Sequence, residues 1–120
     1  MSSLNTFGAI MTFAIELETQ LRNAYAVVGD NARSAEAEKR RVTLERVRRE
    51  NVTEIKLEPI EGLDEANYML DVHVPHETDF KAIEANAARF YTDVAPKINV
   101  REAQRALERC ARQHAEIAAS

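Results

Sequence analysis

Cys110 is the chain's single cysteine, which excludes an intramolecular disulfide framework and any cysteine-based zinc site. That usage fits a reducing compartment, and a cytoplasmic protein is expected. Tryptophan is absent, and only three glycines and three prolines occur, too few for collagen-like, linker-like or low-complexity architecture. No apolar run approaches the roughly 20 residues of a membrane span. The longest, near Phe7 to Leu17, is broken by Thr12 and Glu16 with no basic segment before it, so no targeting or anchoring segment is expected. Excess basic charge is lacking too. Sixteen Lys and Arg stand against twenty Asp and Glu, and Lys39-Arg40-Arg41 is interleaved with acids, which argues against a nucleic-acid partner. Neither a glycine-rich phosphate loop nor a serine-nucleophile motif is found.

What remains is 120 residues, 45% apolar and 30% charged, the composition of one folded domain with a modest core spanning 1–120. Leu4, Phe7, Met11, Ala14, Glu18, Leu21, Tyr25 and Val28 recur at spacings of three and four, one face of a long helix over about 4–29. Ser2, Ser3 or Asn5 can cap it, and Gly29-Asp30-Asn31 can turn the chain. A second helix is predicted over about 32–50 from high propensity, with Ala35, Val42, Leu44 and Val47 as a thin apolar face. Pro59, Gly62 and Pro75 punctuate residues 51–78, which read as a connector with room for a short helix at 63–72. Phe80, Glu84, Ala87, Tyr91 and Val94 mark a third helix over about 79–95, ending near Pro96. After an Asn99 cap, Val100, Ala103, Leu107, Cys110 or Ala111, His114 and Ile117 mark a fourth over about 100–118. The expected fold is all-α: two helical hairpins joined by a long crossover between helices 2 and 3, a four-helix bundle.

Two residues break the apolar pattern. Glu18 and Glu84 lie on the stripes of helices one and three, where a lone buried carboxylate costs several kcal/mol unless paired or metal-bound. Each opens the same short repeat, with an apolar residue three positions on and a tyrosine seven on: Glu18, Leu21, Tyr25 and Glu84, Ala87, Tyr91. In an antiparallel hairpin the midpoint of two level residues falls in the turn, which places Glu38 level with Glu18 and either His114 or Glu108 level with Glu84. His114 is preferred because it lies on its helix's stripe. Three carboxylates and one imidazole at mid-height are the materials of a carboxylate-bridged metal site.

Here the chain resembles the rubrerythrin branch of the ferritin-like diiron proteins. The resemblance rests on Glu18 to Tyr25, on Ala35 to Lys39, on Ala82-Ile83-Glu84 through Phe90-Tyr91 and on His114 to Ile117, with Arg48 to Glu54 and Leu57 to Ile60 as further similar segments. It implies a ferritin-like bundle with a glutamate on helices one and three and a Glu-x-x-His on helices two and four, binding iron for Fe(II) oxidation or peroxide reduction. The sequence departs from that pattern where helix two reads Glu38-Lys39-Arg40-Arg41 and helix four reads Ala111-Arg112-Gln113-His114, and it has no rubredoxin-like Cys-x-x-Cys domain. On this reading Arg41 substitutes for one metal's charge by pairing with Glu18, or with Glu38. Glu38, Glu84 and His114 can still hold one iron or other divalent ion, supporting at most weak oxidase or peroxidase-type activity. The other reading is a metal-free buried polar network in an oligomeric structural or interaction module.

The other candidates read more plainly. His73 and His76, beside Glu77, are expected to be surface histidines, Tyr25 and Tyr91 core residues with satisfied hydroxyls, and Cys110 a small buried residue. The charged run from Glu36 to Glu50 reads as a solvated face with pairs such as Glu36 with Arg40 and Glu45 with Arg49. The thin apolar side of helix two suggests a homodimer or higher homo-oligomer.

Overall fold

The computed structural model describes residues 6–51, 68 and 79–120. Among these are four α-helices and no strand: α1 (Phe7–Val27), α2 (Asn31–Asn51), α3 (Phe80–Val94) and α4 (Arg101–Ala119), with a short 3-10 turn at Ala95–Lys97 between the last two. The expected connector, its short helix, and His73, His76 and Glu77 lie outside the described residues, apart from Asn51 and Tyr68.

Local chemistry sets each boundary. Thr6 caps α1 by accepting from the Ala9 N–H, in place of the serines or Asn5. Gly29 takes φ +83°, the left-handed conformation that ends α1 cheaply, and Asp30 then accepts from the Arg33 N–H to start α2. Asp79 does the same for α3 through the Ala82 N–H. Asn99 is not the cap of α4: Val100 holds that position with no side-chain bond, although its carbonyl accepts from the Gln104 N–H.

The core faces follow the sequence periodicity except in α2 and at the end of α1, where Val28, expected on the buried stripe, lies past the last helical residue and is 41% exposed; Leu4 lies outside the described residues. Phe7, Met11, Ala14, Glu18, Leu21 and Tyr25 are all buried, and Ile10, Leu17 and Ala24 widen that face. In α2 the buried residues are Ala37, Arg40, Leu44 and Val47, spaced three, four and three apart, while Ala35 and Val42 are exposed. Part of the expected α2 face points outward because the inward stripe of α2 includes an arginine, Arg40, between its apolar residues.

Helix directions follow from the contacts. Hairpin α1–α2 and hairpin α3–α4 are the two most intimate pairs, and α2 also lies beside α4. Tyr25, near the end of α1, stacks on Phe80 at the start of α3, whereas Phe13 meets Phe90 further along, so α1 and α3 run antiparallel. Asn51 reaches Glu102 while Arg33 lies near Ser120, so α2 and α4 are antiparallel as well. Consequently α2 and α3 are parallel, and α2 ends at the opposite end of the bundle from where α3 begins. Tyr68 is buried edge-on against Phe90, with its hydroxyl on Asp93 and its carbonyl accepting from Asn86.

Candidate functional site: a buried ion cluster

Four fully or almost fully buried polar side chains, one from each helix, meet at mid-height: Glu18, Arg40, Glu84 and His114. His114 lies between the carboxylates, its Nε2 2.7 Å from Glu18 Oε2 and its Nδ1 against Glu84 Oε2. Both ring nitrogens face carboxylate oxygens, an arrangement suited to an imidazolium that donates twice. Arg40 donates from Nε to Glu18 Oε1 at 2.8 Å and from Nη1 to Gln113 Oε1 at 3.1 Å. Two anions are thus met by two cations, which is how charge survives in a low-dielectric interior.

The tyrosines close the cluster reciprocally. Tyr91 of α3 donates to Glu18 Oε2 of α1 at 2.6 Å, and Tyr25 of α1 donates to Glu84 Oε1 of α3 at 2.8 Å. A seven-residue step is about two turns on one face. In antiparallel helices, therefore, two Glu…Tyr repeats at matching register place each tyrosine level with the other helix's glutamate. The sequence repeat is the signature of this exchange. Tyr91 also stacks on the His114 ring, with centroids 5.5 Å apart.

The environment shifts these groups strongly. Burial pushes Glu18 up, but His114, and then Arg40 and Tyr91, outweigh it and hold the carboxyl below its ordinary value. Burial pulls His114 down, yet Glu18 and then Glu84 raise it above the ordinary histidine range. Burial and then Glu18 carry Tyr91 well above its usual value; burial and then Glu84 do the same for Tyr25. Burial, with Glu18 adding to it, pushes the Cys110 thiol up to about 12, so it stays a protonated, inert thiol.

Of the residues expected at the site, Glu18, Glu84 and His114 are brought together and Glu38 is not. Glu38 is 39% exposed and binds Arg22 at 2.7 Å and both arms of Arg41, which hold its carboxyl down to about 2. The expected Arg41–Glu18 pair is corrected: Arg41 faces Glu38 and Glu45 at the surface, and Arg40 is the partner of Glu18. Neither Glu36 nor Glu45 pairs as expected, because Arg40 points inward and Arg41 takes Glu45. One residue along a helix is a rotation of about 100°, enough to exchange core for solvent. The signal for Arg40 was present in the sequence: its midpoint with Glu18 falls at Gly29, and it completes the spacing of Ala37, Leu44 and Val47.

Glu18, Glu84 and His114 are the donors left for a metal, and they do not fit one as arranged. Glu18 already accepts from Arg40, Tyr91 and His114, and Glu84 from Tyr25 and His114. A ligating imidazole must offer a bare nitrogen, whereas both His114 nitrogens are committed to carboxylates. The guanidinium of Arg40 adds a fixed cation at the place a metal's charge would fill.

No family model, curated protein or solved structure matches the chain.

Proposed function

We propose that the chain is a ferritin-like bundle in which a charge-balanced quartet of side chains stands in place of metal, and that it serves as a non-enzymatic structural or interaction module. The observation that carries this reading is the Arg40 guanidinium seated on Glu18 in the core, with every carboxylate oxygen of Glu18 and Glu84 already engaged. The rubrerythrin resemblance is read one residue earlier in α2 than the sequence suggests. Ala37-x-x-Arg40 and Ala111-x-x-His114 then occupy equivalent places in the two hairpins, each with alanine where that family has glutamate. The parallel course of α2 and α3 supports the long crossover, since residues 52–79 join opposite ends of the bundle. With Ala37, Leu44 and Val47 buried within one chain, the homodimer rests on Val42, half exposed on the outer side of α2.

The test is metal content per chain by plasma mass spectrometry, on protein purified without chelator or affinity tag and again after Fe(II) loading and desalting. The expected result is far less than one ion per folded chain. About one tightly held ion that disappears in His114→Ala would replace this reading with a partial iron site and warrant peroxidase assays. Light scattering on the same samples reads the oligomeric state.

A further inference from the structure

On its α2/α4 side the bundle opens into a cleft of about 350 Å³, and we propose that this cleft binds a small organic oxyanion, a carboxylate or phosphate ester. Its volume is at the lower end for small-molecule sites, roughly 300–1,000 Å³, and larger than a bare ion needs. Arg40 lines it, 5% exposed, and Arg40 Nη2 is a buried donor with no partner among the described residues. A buried donor left unmet is unfavourable, and turning the guanidinium toward an acceptor in the cleft relieves that cost. The neighbouring Nη1 is fixed by Gln113 Oε1, which leaves the Gln113 amide nitrogen as a second donor on the same wall.

The lining is asymmetric in charge. Arg40 is offset internally by Glu18, but Lys39 of α2 and Arg109 of α4 are exposed and form no ion pair among the described residues. Glu36 is the one acid among the described residues of the lining, so the cleft keeps a positive excess and rejects a ligand with an anionic group beside Glu36. Ala106 and Cys110 supply an apolar stretch, which suits the carbon skeleton of an organic anion better than an inorganic ion. The Thr43 hydroxyl is a further donor within the lining.

The experiment titrates citrate and glycerol phosphate separately into the full chain at constant ionic strength set by chloride. Binding is followed through the NMR signals of the Thr43 backbone, the Gln113 side-chain amide and the Arg40 Nε–H. We expect saturable shifts with a Kd on the order of 1 mM or tighter for at least one probe. Saturation by citrate alone assigns the carboxylate class, and by glycerol phosphate alone the phosphate-ester class. Lys39→Gln with Arg109→Gln, both at exposed positions, should weaken binding about tenfold or more. Glu36→Gln should tighten it, and Ala106→Leu, which narrows the cleft without changing charge, should abolish it. No saturable shift with either probe overturns the proposal, as does a response that survives unchanged in the Lys39/Arg109 double variant or in Ala106→Leu.

Discussion

Arg40 Nε donates to Glu18 Oε1 across 2.8 Å in the core, while its neighbour Arg41 sits at the surface on Glu38. Two arginines adjacent in sequence therefore do opposite work. One neutralises a buried carboxylate that nothing else in its hairpin reaches; the other tidies a solvated helix face.

Their substitution should separate them cleanly. Arg40→Leu leaves Glu18 short of one counter-charge in a low-dielectric site and should cost about 3–5 kcal/mol. Arg41→Leu breaks only solvated surface pairs and should cost far less. Urea denaturation of both variants measures this, and comparable losses would mean that Arg40 is not the buried partner.

Stability should peak in mildly acidic solution. Glu18 is held below its ordinary 4.5, so its contribution is complete above that pH and is lost as pH falls through the lower folded value. His114 is held above its ordinary 6.5, so its contribution is complete below 6.5 and is lost as pH rises through the higher folded value. The best window lies between those two ordinary values. Urea midpoints across the acid, neutral and alkaline ranges should fall on both sides of it, and His114→Gln should flatten the alkaline decline. Stability that climbs steadily from neutral into alkaline solution would contradict the imidazolium.

The reciprocal tyrosines should be nearly equivalent. Tyr25→Phe and Tyr91→Phe each strip one hydrogen bond from a buried carboxylate and should each cost about 1.5–3 kcal/mol. Losses of a few tenths in chemical denaturation would show that the carboxylates find other donors.

If the rubrerythrin resemblance holds in the corrected register, Ala37→Glu, Arg40→His and Ala111→Glu together supply the missing ligands, and the triple variant should bind two ferrous ions per chain. Arg41→His with Ala111→Glu, one residue out of register in α2, should not. Metal analysis after Fe(II) loading decides between them, and equal uptake by both would refute the register.

Cys110, 5% exposed and with its thiol pushed up to about 12, should be silent to a disulfide thiol reagent at neutral pH until the protein unfolds. A native-state reaction as fast as that of the urea-unfolded chain would place the thiol outside the core.

Much of this was legible beforehand. Glu18, Glu84 and His114 stood out because ionisable groups on apolar stripes must find partners, and the Glu…Tyr repeat marked the two helices that exchange hydroxyls. Arg40 is not legible in the same way: Glu38, a carboxylate, stands at the level of Glu18, and an arginine within a charged run reads as solvated. Asn99 is not the cap because α4 begins at Arg101, beyond the 3-10 turn that holds Pro96, which leaves Val100 in the cap position.

The helical character, the turn at Gly29 and the buried acids were set by local periodicity and composition, since short-range sterics and apolar spacing act within a few residues. Which arginine faces inward, and which carboxylate each tyrosine serves, depended on packing four helices together. Adjacent residues on a helix differ by about 100° of rotation, so only the neighbouring helices decide which of the two is desolvated and which stays in water.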